Sequence, residues 1–353
     1  MKNVLELSPA QRRELFVAAS QKLGYTAPVV EKDFWVCWTL RELFALPGAR
    51  DHLVFKGGTA LSKVWQAIRR FSEDVDVSLS REWLGFTGKL DPEQATSTSQ
   101  RKKRLEALVA ACEAKVRDEL RYALAARMSA ALGESRWAVE SDPGDAQSLI
   151  FRYPSAFAEA SEAPYISRSV KIEGGARADA WPTEDRTIQP YVAAAFPNGV
   201  PDAQVSVRVL SIERTFWEKA TILHAEAHRR KEKPTPARHS RHYADLAALA
   251  DHEAGQRAMQ RDDLRARVVT HKQVFFADKF ASYETAVPGS FRLVPDDYRL
   301  PDLERDYRDM REMFFEEPPS WAQVIERLRR LEKEINGNAS RIGASTHPAS
   351  GGK

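Results

Sequence analysis

The 353-residue sequence predicts an α/β (α+β) protein with a mixed-sheet centre between helical ends. Three observations point there. Capped helical patterns fill the N-terminal segment 1–50. Short β-type runs, broken by glycine, proline and aspartate, gather in a central core at 51–205. Amphipathic helices dominate a C-terminal domain at 206–335, and a small, polar tail occupies 336–353.

Each element follows from its residues. "SPAQRRELFVAASQKLG" opens with Ser8-Pro9, where proline's fixed φ and missing N–H suit a first helical turn, and it stops at Gly24. The next helix, "EKDFWVCWTLRELFAL", ends before Pro47-Gly48. Its Phe34, Trp35, Trp38 and Phe44 suit core packing, with base stacking as the alternative. "HLVF" is a short buried strand, Gly57-Gly58 a turn, "TALSKVWQAIRR" a helix from Thr59, and "DVDVSL" a strand. Residues 101–131 read as one long charged helix, followed by strand-like "RWAVE", "SLIFRY" and "PYISRSVKIE". "TIQPYV" is a further candidate strand, and "VSVRVL" leads into the helix "SIERTFWEKATILHAEAHRR". Helices then fall near 240–251, 257–272 and 302–316, and "WAQVIERLRRLEKEI" is an amphipathic cap on the helical half. The tail "NGNASRIGASTHPASGGK" has the composition of a disordered end.

Composition narrows the function class. A net charge of +3 is too mild to establish nucleic-acid binding by itself, yet "RKKR" at 101–104 and "HRRKEKPTPARHSRH" at 228–242 are locally basic. Cys37 and Cys112 are far apart and lack metal-ligand spacing, which argues against a disulfide framework or zinc site. No apolar run approaches the ~20 residues a membrane span needs. The expectation is a cytoplasmic protein with no membrane partner.

The chemistry concentrates in "FKGGTALSKVWQAIRRFSEDVDVSL", residues 55–79. Two adjacent glycines let backbone amides come close to a ligand, and a helix beginning there aims its free N–H groups at an anion such as phosphate. Thr59 can hydrogen-bond an oxygen, and Lys63 lies one turn on. Gly-Gly before a helix is also an ordinary turn. Asp74 and Asp76 tip the balance, because alternation along a strand puts both carboxylates on one face. Paired like charges raise a pKa unless a cation neutralises them, and Mg²⁺ takes carboxylate oxygens while keeping positions open for phosphate. In "SRSVKIEGGARAD", Glu173 offers a third acid for a metal, or for activating a nucleophile hydroxyl; the alternative is an exposed Lys171/Glu173 strand face. In the helix after residue 211, Lys219 falls within the apolar stripe of Ile212, Phe216, Ala220 and Leu223, where it either snorkels or meets an anion.

With these pieces in order, the sequence resembles the AbiEii-type nucleotidyltransferase toxins, a branch of the polymerase-β-like nucleotidyltransferase superfamily. The resemblance rests on "FKGGTALSK", "RFSEDVDVSL", "SVKIEGGARAD", "ERTFWEKATILH" and "SRHYADL", across about residues 31 to 250. It implies a polymerase-β-like nucleotidyltransferase core. Gly57, Gly58 and Thr59 would hold the triphosphate, with Lys56, Lys63 and Arg241 in the nucleotide-binding set. Asp74 and Asp76 would hold Mg²⁺ (or Mn²⁺), with Glu173 chosen as the third metal-holding acid by its strand position; Lys219 matches the family's phosphate-contacting lysine, and Asp245 the carboxylate of the last motif. Family members often read Arg-Asp-x-x-Asp there, whereas this chain has His242 at the second position.

The resemblance further implies a bacterial toxin–antitoxin system with a cognate antitoxin. The expected reaction is transfer of NMP from an NTP onto an acceptor such as the tRNA 3′ end, which blocks translation. In that setting the basic segment 228–242 would carry the acceptor's phosphate backbone. Two other readings fit the residues: a metal-dependent nuclease using water, and a non-catalytic nucleotide- or antitoxin-binding protein on the same scaffold.

Overall fold

The β-type runs of the central sequence form a single seven-stranded mixed sheet in the computed structural model, which describes residues 1–133, 136–157 and 167–337. In chain order, α1 (Lys2–Glu6), α2 (Pro9–Leu23), α3 (Ala27–Phe44) and α4 (Ala49–His52) lead into β1 (Leu53–Lys56). Then come α5 (Gly57–Lys63), β2 (Val75–Leu79), α6 (Thr98–Ala114) and α7 (Arg121–Leu132). The sheet is completed by β3 (Ala138–Asp142), β4 (Asp145–Arg152), β5 (Ser169–Gly175), β6 (Thr183–Ile188) and β7 (Val205–Leu210), with α8 (Tyr191–Ala195) before the last strand. The strand order is β3-β4-β5-β2-β1-β7-β6.

β2 lies between β1, antiparallel, and β5, parallel. Their registers place Asp76 directly opposite both Lys56 and Glu173. Alternation does the rest: Val75, Val77 and Leu79 are buried, while Asp76 on the other face is half-buried.

Ser8 caps α2 reciprocally with Gln11, as the Ser-Pro start predicts. α3 is enclosed on nearly all sides and packs on β5 and β7. Its Trp35 and Trp38 are almost wholly buried; Trp35 stacks on Tyr153 at 5.3 Å, and Trp38 meets Phe151 at 5.6 Å. The aromatic helix is therefore core, and its rings are not available to stack bases.

Several expectations need adjustment. The helix expected over residues 59–70 is shorter, because the chain leaves it after Lys63 and Gln66 takes a left-handed conformation. The helix expected over 101–131 begins earlier, at the Ser97 cap, and carries one π-helical turn at Lys115–Leu120. "TIQPYV" is strand only to Ile188; Pro190, which cannot donate to a ladder, is the N-cap of α8 instead. The first residues of "PYISRSVKIE", up to 166, lie outside the described residues, and so does the tail beyond Gly337.

The chain divides into two units after Ser211 rather than after residue 205. The reason is β7, which is hydrogen-bonded between β1 and β6 and so belongs to the sheet. The N-terminal helices belong to the same unit.

The second unit is helical: α9 (Ile212–Ala227), α10 (Ser240–Asp251), α11 (Glu253–Met259), α12 (Asp262–Phe275), α13 (Leu300–Asp309) and α14 (Trp321–Gly337). The stripe of Ile212, Phe216, Ala220 and Leu223 is buried as its spacing predicts. Trp217 donates its indole N–H to the Ala258 carbonyl at 2.9 Å, and Tyr243 meets Trp321 edge-on at 5.7 Å. The stretch expected as one helix over 257–272 is two, α11 and α12. Among the described residues no helix is long and apolar enough to cross a membrane, and both cysteines are buried free thiols.

Candidate active site

The site is built on the passage of β1 into α5. Lys56 is still extended; Gly57 then takes φ +80°, a conformation L side chains rarely adopt. A Cβ at Gly57 would stand 2.0 Å from Asp76 Oδ2, so the missing side chain is what lets the carboxylate lie over the turn. At Gly58 a Cβ would meet Arg70 Nη2 and Ser72 Oγ, each at 2.8 Å. An acid thus flanks one glycine, and a guanidinium and a hydroxyl flank the next.

Thr59 is fully buried, and its hydroxyl donates to the Asp74 carbonyl at 2.6 Å, with Ser72 Oγ at 3.0 Å. The hydroxyl expected to meet a phosphate is thus engaged within the fold, where it fixes the backbone that carries Asp74. Lys63 is also diverted. Its ammonium is buried 2.7 Å from Asp33 Oδ1 and 3.7 Å from the centroid of the Tyr191 ring, so it does not stand ready for a phosphate.

Asp76 is the centre of the electrostatics. Desolvation pushes its carboxyl up to about 6; Lys56 opposes this, while the charges of Glu173 and Asp74 and a hydrogen bond shared with Glu173 add to it. Glu173 in turn lies 2.9 Å from Lys171, which also reaches Asp142 at 3.2 Å. Partial burial works against the Lys171 ammonium, but hydrogen bonds and charges from Glu173 and Asp142 hold it well above its usual range. The strand face read as Lys171/Glu173 is thus an ion-paired face continuous with Asp76.

Among the described residues, no group of three histidines, cysteines or acids forms a ready-made metal cage. The donor chemistry nevertheless suits a hard divalent cation. Asp74, Asp76 and Glu173 offer only carboxylate oxygens, and a cation would relieve the repulsion that Glu173 and Asp74 exert on Asp76.

Sequence reasoning missed Lys32. Its ammonium, fully buried, donates to Ser167 O at 2.8 Å, to the Ser169 carbonyl and to Ser167 Oγ at 3.1 Å, and pairs with Glu73 at 3.1 Å. It ties the start of β5 to the residue before Asp74. Burial pulls its pKa down, against the raising effect of Glu73 and Asp74. The signal was there in "EKD": Glu31, Lys32 and Asp33 are consecutive charges directly before the apolar, aromatic run "FWVCW".

In the helical unit, Lys219 is paired with the buried Asp245 at 2.8 Å and approaches His242 Nδ1 at 3.4 Å. Burial, then the charges of Lys219, His239 and Arg241, push His242 well below its usual range. It is a neutral imidazole able to accept from Lys219. The position at which the family often carries an acid therefore holds an acceptor for the same lysine, without the charge. Arg241 is half-buried beside it in sequence.

Comparison with known proteins gives this geometry a family. Among solved structures, the chain is similar to MenT4, a nucleotidyltransferase toxin from Mycobacterium tuberculosis H37Rv. It is 18% identical, with 94% of this chain and 98% of that one covered and a TM-score of 0.38, too low to carry an argument. No curated protein matches. The family model described as "Nucleotidyl transferase AbiEii toxin, Type IV TA system" matches residues 38–327. That match spans well over half of the chain, so the protein belongs to the AbiEii family, the nucleotidyltransferase toxins of type IV toxin–antitoxin systems.

Proposed function

We propose that this toxin transfers NMP from an NTP to the 3′ end of an acceptor RNA, with tRNA as the first candidate, and so blocks translation. A cognate antitoxin would restrain it. The observation that carries the reading is Asp76: an acid lifted to about 6 by desolvation and by two acidic neighbours, laid over a turn that tolerates no Cβ.

In this proposal Asp74, Asp76 and Glu173 hold Mg²⁺ (or Mn²⁺). The cation would neutralise triphosphate charge and favour ionisation of the acceptor hydroxyl. The chain's own residues do the positioning. Gly57 and Gly58 present backbone to the triphosphate, and Lys56, opposite Asp76 in register, offsets the acids. Glu173, directly opposite Asp76 in register, is the group placed to take the proton of an attacking hydroxyl. Thr59 holds Asp74 in place through its carbonyl.

For the helical unit, a phosphate-contacting role for Lys219, a nucleotide-binding role for Arg241 and a shaping role for Asp245 rest on the family motif. The neutral His242 supports the first, because it leaves the Lys219 charge less quenched than a second acid would. Family membership weighs against both the nuclease and the non-catalytic scaffold.

The test is to incubate the protein with total tRNA, Mg²⁺ and each α-labelled NTP in turn, beside an Asp74→Ala, Asp76→Ala double variant. Label on tRNA from wild type alone is the expected result. Intact, unlabelled RNA with every NTP would rule out tRNA as the acceptor, and shortened RNA would restore the nuclease reading.

A further inference from the structure

The segment between α9 and α10 has no regular secondary structure, yet it is tightly framed. Arg299, 6% exposed, donates to the carbonyls of Arg229 at 3.1 Å, Arg230 at 2.5 Å and Lys233 at 3.1 Å, and reaches Thr235 Oγ1 at 3.3 Å. Asp306 of α13 accepts from the backbone N–H groups of Arg238 at 2.5 Å and Ser240 at 2.8 Å, and from the Ser240 hydroxyl. The side chains held out by this frame are Arg230, Lys231, Lys233 and Arg238, all exposed, against one acid, Glu232.

That arrangement is costly in the isolated chain. Like charges repel, and an untethered loop would let them spread. Here the loop is instead fixed by a further buried cation, Arg299. Aromatic rings lie among the charges: Arg230 Cζ is 3.4 Å from the Phe280 centroid, and Lys231 Nζ is 5.3 Å from that of Tyr298, a ring 42% exposed. Exposed cations on a framed loop with an exposed ring beside them match the surfaces that track a single-stranded nucleic-acid backbone and stack a base. An acidic protein partner fits less well. Protein interfaces rely on aromatic or aliphatic anchors in pockets, and the only apolar side chains over 228–242 are Pro234, Pro236 and Ala237.

We infer that the loop 229–239 is a preformed site for the phosphate backbone of the acceptor RNA. Arg230, Lys231, Lys233 and Arg238 are its contacts, Tyr298 its stacking ring, and Arg299 and Asp306 its frame. The inference rests on the acceptor being an RNA. Because the loop is shaped in advance, binding need not pay to order it.

The experiment measures binding of 5′-labelled total tRNA to the full chain without NTP, across a salt series. The Arg230→Gln, Lys231→Gln, Lys233→Gln, Arg238→Gln variant is expected to bind at least tenfold more weakly near physiological salt. Its log–log salt slope should flatten by roughly 3, since each lost phosphate contact removes ~0.7–0.9. The control Lys102→Gln, Lys103→Gln, on the exposed face of α6, should behave as wild type. If the quadruple variant does not fold by circular dichroism, the Lys231→Gln, Lys233→Gln double should show about half the flattening. Unchanged affinity and slope, or equal loss in the control, would overturn the site. Poly-glutamate binding more tightly than tRNA, and lost in the same variant, would overturn the RNA assignment in favour of an acidic partner. Loss of tRNA binding in the variant, with no transfer by wild type to any RNA, would leave the loop site standing and sink the transfer reading. Equal transfer to subsaturating tRNA by wild type and variant would sink the loop site alone.

Discussion

Replacing Asp76 by asparagine should abolish transfer while making the metal-free protein more stable. A carboxyl raised in the folded state favours folding fully below its unfolded pKa, and that contribution is lost as pH rises through its folded value. For Asp76 the window runs from 3.8 to about 6. At ~1.4 kcal/mol per pH unit, the metal-free wild type surrenders at most about 3 kcal/mol across it. Asparagine matches the protonated acid in shape and can donate to Glu173 as that acid does, but it never ionises. At pH 7.5 without divalent cation, the variant's sheet unit should therefore melt roughly 5–10 °C higher, at ~2–4 °C per kcal/mol for a unit of this size. At pH 4 the two proteins should melt together. Saturating Mg²⁺ should raise the wild-type Tm and move the variant much less. Differential scanning calorimetry at both pH values, with and without Mg²⁺, decides it. A variant that melts at or below wild type at pH 7.5, or gains equally at both pH values, would refute the reasoning.

Three further outcomes follow from the same geometry. Gly57→Ala should lose at least 100-fold in kcat, because its Cβ would collide with Asp76 Oδ2, and should cost ~1–3 kcal/mol by urea unfolding because of the positive φ. Lys32→Met should destabilise the sheet unit by about 3–5 kcal/mol in the same assay, since it leaves Glu73 and two serine carbonyls facing a buried apolar chain. In the helical unit, His224 is held neutral at about 4, chiefly by burial. A lowered folded value gives stability that is present above 6.5 and lost as pH falls towards 4, so the Tm of this unit should drop across that window, and less so in His224→Phe.

Much of the fold was legible because local rules and burial agree. The Ser8-Pro9 start, the Val75/Asp76 alternation and the Ile212–Leu223 stripe each have one satisfactory solution, and the chain adopts it. The acids were legible for the same reason, since alternation fixes which face Asp76 and Glu173 share once β2 and β5 pair. The partners of Thr59 and Lys63 were not legible, because motif position says nothing of direction. Both belong to α5, and Thr59 and Lys63 sit one turn apart on its inner side, facing the Asp74 carbonyl and Asp33. The carbonyls that Lys32 and Arg299 hold were not legible, because they lie more than sixty residues away along the chain. Side-chain-to-carbonyl bonds of that range leave no periodic trace.

The three consecutive charges of α3, Glu31, Lys32 and Asp33, have a consequence for what holds the acids in place. Glu31 accepts from Ser155 and from the Ala156 N–H, just after β4; Lys32 grips Ser167 and Ser169, where β5 begins; Asp33 holds Lys63 of α5 and the N–H of Tyr191. One helical turn thus clips both banks of the connection between Phe157 and Ser167, as well as the helix behind the glycine turn. The register of Glu173 against Asp76 is therefore held from the helix layer as well as by the ladder between β2 and β5, so a change confined to α3 would reach the acids without touching either strand.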